Sequence, residues 1–175
     1  RRSKDDGKTE AIQFMFGPVL YEHKATLLSP EVIVMDTGVN IPVLNYHEMI
    51  DLMVQNVERN QLIANVALTH VMGSRKVLIL TKRIDHYNRL LPLLDTVKCI
   101  VVESKDKEKH AILKKAKADS SSFDILLGTA ALLGVGMDCP ALDTLIIGFD
   151  LKSDTLAEQS CGRILRLFEG KQQAT

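Results

Sequence analysis

The sequence lacks several features that mark common functional classes. It has no tryptophan, and aromatic residues make up only 5% of its 175 residues. The stacked aromatic platforms of single-strand-binding proteins are therefore not apparent. Lysine plus arginine and aspartate plus glutamate both number 22, so the net charge of zero indicates neither a nucleic-acid nor a membrane partner. Any basic surface must be local.

Cysteine and long apolar runs are also scarce. The three cysteines, Cys99, Cys139 and Cys161, are odd in number and lack the spacing of metal ligands, and the five histidines form no metal pattern. No apolar run approaches the roughly 20 residues that a membrane-spanning helix needs. The N-terminus is charged, unlike a secretory signal. We therefore expect a soluble domain from a reducing, intracellular compartment, with no metal site and no membrane contact.

The sequence does contain strands alternating with helices. Short apolar runs without polar alternation are typical of parallel strands that are covered on both faces. Such runs predict five strands, at 31–35, 76–80, 98–102, 124–127 and 144–148. Strands separated by helical patterns of 10–15 residues imply a parallel sheet with right-handed crossovers. We predict an α/β fold, in one domain, with helices on both faces of the sheet.

The helical predictions rest on apolar spacing. Between Tyr46 and about Met72 apolar residues recur at intervals of three and four, and Asn45 is a candidate N-cap. Glu58 to Gln61 interrupt this pattern, so either one helix or two would fit. Further helices are predicted from Ile84 to about Leu94, from Asp106 to Ala118, and around Gln159 to Arg166.

The stretch from Phe123 to Arg166 is the most informative part of the chain. Gly128-Thr129 ends one apolar run, and polar groups beyond the carboxyl ends of parallel strands lie where open α/β sheets bind ligands. Arg163 and Arg166 are three residues apart in a predicted helix and hence on one face. Two fixed guanidinium groups on one face are suited to bind a polyanionic phosphate.

Three segments resemble motifs of superfamily 2 helicases and translocases, in the order that the family has them. Ile125 to Thr129, Gly136 to Pro140 and Asp143 to Ile147 together resemble motif V. Gln159 to Arg166 fits motif VI, Gln-x-x-Gly-Arg-x-x-Arg, and Lys76 to Arg83, a strand followed by Thr-Lys-Arg, stands where motif IV belongs. The chain therefore resembles the second motor domain of this superfamily.

The form of motif VI points to one branch. DEAD-box helicases carry Gly-Arg-x-Gly-Arg preceded by another arginine, whereas this chain has Ser160 and Leu165 at those positions. Gly-Arg-x-Leu-Arg is more similar to transcription-repair translocases, phage recombination helicases and helicases of large DNA viruses. Residues 1–29 resemble the end of a first motor domain and the linker after it, and 30–175 the C-terminal RecA-like domain.

The resemblance implies a RecA-like three-layer sandwich, with a mainly parallel sheet of five to six strands. It implies ATP with Mg²⁺ as cofactor, held mainly by a first motor domain, because this chain has neither a complete P-loop nor an Asp-Glu-x-Asp/His motif. It implies arginine fingers at Arg163 and Arg166, ATP contacts from Gly136, Asp138 and Gln159, and nucleic-acid backbone contacts from Gly128, Thr129, Lys82 and Arg83. The implied partners are DNA or RNA and the first motor domain.

Two other classes of function also fit parts of the sequence. One is a RecA-like scaffold that has lost catalysis, which intact Arg163 and Arg166 disfavour. The other is a doubly wound nucleotide enzyme, which the lack of a Gly-x-Gly-x-x-Gly turn after an early strand disfavours. The resemblance to viral helicases implies a viral protein in the host cytoplasm or virion; otherwise the nucleus or cytoplasm is expected.

Overall fold

The computed structural model describes residues 14–17, 28–40, 42, 45–103, 107–131, 137–151 and 154–175. Residues 14–16 are helical. The helices that follow are α1 (Tyr46–Gln55), α2 (Val57–Met72), α3 (Ile84–Leu90), α4 (Lys109–Ala118) and α5 (Asp154–Ile164). The strands are β1 (Val77–Thr81), β2 (Cys99–Val102), β3 (Ile125–Thr129) and β4 (Thr144–Ile147), and short 3₁₀ turns span Leu91–Leu93 and Ser120–Ser122.

The four strands form one parallel sheet in the order β2-β3-β1-β4. The register places Thr81 beside Thr129 and Val102 beside Gly128. The carboxyl ends of β1, β2 and β3 therefore meet at one edge of the sheet. This is the edge where the sequence predicts ligand-binding groups.

Helices cover both faces of the sheet, as predicted. Leu78 and Leu126 pack in a core with Leu113 of α4 and Ile164 of α5. The strand residues that point the other way pack against α2 and α3; they are Val77, Ile79, Ile125 and Leu127. All of these strand side chains are fully buried, which explains why the strands read as unbroken apolar runs. The α/β three-layer architecture is confirmed.

The long helical pattern after Asn45 consists of two helices. The side chain of Asn45 accepts a hydrogen bond from the Glu48 N–H at 3.0 Å, so it is the N-cap of α1. Asn56 has an extended backbone and its side chain accepts from the Arg59 N–H at 2.7 Å. Asn56 thus ends α1 and caps α2, which is why the apolar pattern is interrupted there.

The strand predicted at residues 31–35 is wrong. Pro30 forms a single parallel bridge with Ala174, and the Glu31 N–H donates to the Ala174 carbonyl at 2.8 Å. The side chains from Val32 to Met35 are exposed, and the described part of the chain offers them no further strand partner. Strand propensity depends on packing against neighbours, which this segment lacks. The described sheet therefore has four strands, fewer than the five to six predicted.

Two predicted helices differ from the structure in their length. The α-helix that begins at Ile84 ends at Leu90 and continues as a 3₁₀ turn, because Pro92 has no N–H for an α-helical bond. The lysine-rich helix begins at Lys109, and residues 104–106 before it lie outside the described residues. Within the described ranges, no helix combines the length and apolar character needed to cross a membrane.

Candidate functional site

Both predicted arginine fingers contact the segment that precedes β4. Arg163 lies in the last turn of α5, and its Nη1 donates to the Met137 carbonyl at 2.7 Å. Arg166 forms an ion pair with the Asp138 carboxylate. Arg166 lies two residues beyond the end of α5 at Ile164, so the prediction that both arginines share one helical face is wrong. They converge from a helix and from the non-helical chain after it.

Asp138 also binds a cation that the sequence did not indicate. Its second carboxylate oxygen pairs with Lys117 of α4, so one carboxylate joins α4 to the chain after α5. We call Lys117, Met137, Asp138, Arg163 and Arg166 the arginine cluster. The Arg166 side chain is 40% exposed, so it is held in place but open to a ligand from solvent.

The other two residues predicted to contact ATP are less well defined. Gln159 is half-buried in α5, four positions before Arg163, and therefore faces the same side of the helix. Gly136 lies outside the described residues. The structure thus brings Arg163, Arg166 and Asp138 together and places Gln159 on the adjoining turn.

A second group of predicted residues lines a cleft at the carboxyl edge of the sheet. The cleft has a volume of about 500 Å³, and we call it the carboxyl-edge cleft. It is lined by Lys82, Arg83, Ile84, Asp85, Glu103, Thr129, Ala130 and Ala131. Lys82, Arg83 and Thr129 are therefore brought together, as the motif positions suggested. Gly128 is buried behind them, where its carbonyl accepts from the Thr81 hydroxyl at 3.3 Å.

The two cations of the cleft are held by side chains. The Lys82 ammonium lies above the Phe149 ring, 5.6 Å from its centroid. Arg83 forms an ion pair with Asp51 of α1, and both of its members are partly exposed. Such contacts at the surface stabilise by at most about 1 kcal/mol each and can rearrange when a ligand binds.

The cleft also contains a carboxylate that the sequence analysis missed. Glu103 accepts a hydrogen bond from the Tyr87 hydroxyl. Burial, as the larger cause, and the contact with Glu103 together raise the pKa of Tyr87 to about 12. The tyrosine is therefore a hydrogen-bond donor at neutral pH. Glu103 directly follows β2, so the strand-end rule that indicated Thr129 could have indicated it too.

A buried polar network joins α3, whose first residue Ile84 lines the cleft, to α1 and α2. His86 of α3 contacts the Asn60 side-chain oxygen through Nε2 at 3.0 Å, and Asn60 Nδ2 donates to the Val54 carbonyl at 2.9 Å. Burial, together with the nearby Arg59 and Arg89, lowers the pKa of His86 to about 4. The imidazole is therefore neutral at physiological pH, and the network fixes α3 against α1 and α2.

Comparison with solved structures agrees with this fold. UvsW of T4 has the same fold, with a TM-score of 0.62 and 22% identity, over 77% of this chain and 28% of UvsW. A fragment of an HsdR subunit of a type I restriction enzyme from Vibrio vulnificus YJ016 also has this fold. Its TM-score is 0.59 and its identity 19%, over 75% of this chain and 28% of the HsdR chain. The class is therefore a RecA-like α/β domain.

The sequence comparisons are more specific. Residues 58–168 match the family model of the helicase conserved C-terminal domain, and the chain belongs to this family. It is 30% identical over 114 residues to transcript termination protein OPG145 of Variola virus and 29% identical to protein A18 of Vaccinia virus. Each match covers 62% of this chain and 23% of the viral protein, so the chain spans about a quarter of these relatives. The resemblance to superfamily 2 helicases is confirmed.

Proposed function

We propose that this chain is the second motor domain of an ATP-dependent nucleic-acid helicase or translocase. In this proposal a separate first motor domain binds most of the nucleotide, and this domain closes over it. Arg163 and Arg166 then act as arginine fingers, while the carboxyl-edge cleft grips the nucleic-acid backbone. Membership of the helicase C-terminal family supports the motor class of function.

The observation that carries the proposal is the convergence of Arg163 and Arg166 on Met137 and Asp138. Phosphoryl transfer needs little covalent help from a protein but much stabilisation of charge, and an arginine finger contributes on the order of 10³–10⁵ in rate. Such a finger must be fixed in direction and still reach the ligand. Two observations support a finger role for the cluster: both guanidinium groups are held by hydrogen bonds or ion pairs, and the Arg166 side chain is 40% exposed.

The cations of the cluster suit the anionic phosphates of a nucleotide, whereas Mg²⁺ would be held mainly by the first motor domain. Bound ATP would supply the phosphoanhydride bond that is hydrolysed. Arg166 would exchange the Asp138 carboxylate for phosphate oxygens, which offer its planar donors equivalent acceptors. Lys117 would remain on Asp138, so that the carboxylate keeps a cationic partner when Arg166 leaves it. Arg163, held by the Met137 carbonyl, would add a second positive charge.

The proposed nucleic-acid contacts are made to the backbone. Lys82 and Arg83 supply charge in the cleft, and Thr129 supplies a hydroxyl donor beside them. Binding through such groups is independent of sequence and weakens steeply with salt. Because two of the relatives are named transcript termination proteins, we propose that the motor acts on nucleic acid during viral transcription, inside the host cell.

The decisive test is ATP hydrolysis by the longer protein that carries both motor domains, wild type against Arg166→Ala. We expect turnover stimulated by nucleic acid to fall at least about 100-fold, while ATP affinity, measured separately by fluorescent-nucleotide displacement, changes little. Arg89→Ala is the matched control, because Arg89 is an exposed arginine of α3 outside the cluster.

Two outcomes would contradict the proposal in different ways. Unchanged turnover in Arg166→Ala would remove the arginine finger but leave the motor class intact. A two-domain protein without any ATP hydrolysis, with or without nucleic acid, would instead favour the scaffold function. Nucleic-acid binding measured on the same samples would then show whether the carboxyl-edge cleft still works as a grip.

A further inference from the structure

Lys171 makes contacts that neither the motifs nor the family match explain. It lies three residues beyond the matched range, and its side chain is half-buried. Its ammonium donates to three backbone carbonyls: those of Leu142 at 2.6 Å, Arg166 at 2.9 Å and Pro140 at 3.2 Å. A lysine has three N–H donors, so each donor has one acceptor.

These carbonyls belong to the two segments that carry the arginine cluster. Pro140 and Leu142 follow Asp138 in the segment that leads into β4. Arg166 lies two residues beyond the end of α5, so its carbonyl is outside the helical hydrogen-bond ladder. Lys171 therefore ties the backbone of Arg166 to the chain that carries Asp138, the residue with which the Arg166 side chain pairs.

The chain between Arg166 and Lys171 is shaped to make this contact. A turn closes with a hydrogen bond from the Lys171 N–H to the Phe168 carbonyl at 3.0 Å. Gly170 in this turn has φ of +78°, a conformation that glycine adopts without steric cost. The turn brings the lysine back toward the end of α5. Burial lowers the pKa of Lys171, and the nearby Asp143 carboxylate offsets part of that effect.

We propose that Lys171 is a positioning residue for Arg166: it fixes the backbone from which the finger extends, relative to Asp138. The inference rests on the proposed function and deepens it. Lys171 touches neither nucleotide nor nucleic acid in this proposal. Its loss should loosen the finger, and a displacement of about 1 Å in a catalytic group can cost on the order of 100-fold in rate.

The test is a double-mutant cycle in the two-domain protein, with Lys171→Met and Arg166→Ala made singly and together. Methionine keeps much of the apolar stem and removes the ammonium. We expect Lys171→Met to lower kcat about 10- to 100-fold and to change KM for ATP less than about threefold. In the Arg166→Ala background the same change should lower kcat less than about twofold, because the finger is already absent.

The matched control is Lys114→Met, on the exposed side of α4, which should leave kcat unchanged. Lys171→Arg keeps charge and donors and should recover a large part of the lost kcat. If Lys171→Met melts too low for assay, Lys171→Arg takes its place in the cycle, where a smaller loss in kcat should again vanish in the Arg166→Ala background.

Three results would overturn this inference. They are wild-type kcat in Lys171→Met, equal losses in both backgrounds, and a loss that appears only in KM. Failure of the proposed function is seen elsewhere in the same cycle: Arg166→Ala alone would retain wild-type turnover if the finger role fails, and the wild type would show no turnover if the motor class fails. The two failures are therefore distinguishable from one set of measurements.

Discussion

The arginine cluster and the carboxyl-edge cleft both present cations, but they hold them differently. In the cluster, Arg163 binds a backbone carbonyl and Arg166 shares a carboxylate with Lys117. In the cleft, Lys82 rests on an aromatic ring and Arg83 on one partly exposed carboxylate. One backbone contact and a carboxylate shared by two cations link the cluster residues to one another, whereas each cation of the cleft rests on a single side chain. We infer that the cluster is built for placement and the cleft for adaptable, salt-dependent binding.

The sharpest way to break this comparison is Arg166→Lys. If the cluster needs placement, a cation without the planar fork should fail, and turnover should fall on the order of 10²–10³-fold, or about 3–4 kcal/mol. ATP hydrolysis by the two-domain protein measures this, with Arg89→Lys as the matched control. A lysine variant with at least a third of wild-type turnover would mean that charge alone is sufficient in the cluster.

A second prediction concerns pH, because His86 is buried in the polar network that joins α3 to α1 and α2. Its pKa is about 4 in the folded chain and about 6.5 in the unfolded chain, so between these values only the unfolded state takes up the proton. The contribution of neutral His86 to the free energy of unfolding is therefore fully present above about pH 6.5. It is lost as the pH drops towards 4, by roughly 3 kcal/mol in all.

Urea unfolding of this chain from pH 7 to pH 4.5 can measure the effect. His86→Gln removes the titrating ring and keeps an amide that can reach Asn60, so its stability should depend less on pH than that of the wild type. His110→Gln, at an exposed site of α4, is the control and should follow the wild type. Parallel curves for His86→Gln and wild type would show that the buried ring does not control acid stability.

Much of the fold could be predicted from sequence because its signals are local. The buried strands read as apolar runs, and Asn45 is a cap that acts within one turn. The prediction failed at residues 31–35: the segment has strand propensity, but among the described residues the bridge of Pro30 to Ala174 is the only strand-like pairing beside it. It also extended α5 to Arg166, since no glycine or proline separates that residue from the true end at Ile164.

The sequence motifs indicated the residues of the candidate site but not the contacts that hold them. Arg163, Arg166 and Asp138 carry recognisable spacing, so the sequence indicated them. Lys117 and Lys171 have no such signal, because their acceptors lie 21 to 31 residues away, apart from the Arg166 carbonyl. A surface lysine and a lysine that joins two segments look alike until the fold brings those segments together.

The third prediction tests the cleft. Lys82→Ala should weaken nucleic-acid binding by the two-domain protein about tenfold at low salt, and should reduce the salt slope by about one, because one phosphate contact is lost. Turnover at saturating nucleic acid should stay within about threefold of wild type. Fluorescence anisotropy at several salt concentrations measures both effects, with Lys114→Ala as control. A large loss of turnover at saturation would mean that the cleft also contributes to catalysis.

The smallest predicted effect concerns the contact that restrains Arg83. Asp51→Asn removes the carboxylate that competes with phosphate for this arginine, and the exposed pair is worth at most about 1 kcal/mol. Nucleic-acid affinity should therefore rise about two- to threefold, whereas Asp95→Asn, an exposed control beyond the far end of α3, should have little effect. Raising the salt should shrink the gain, since screening already weakens the pair. A fall in affinity would instead mean that Asp51 orients Arg83 for binding, and the cleft would then depend on placement as the arginine cluster does.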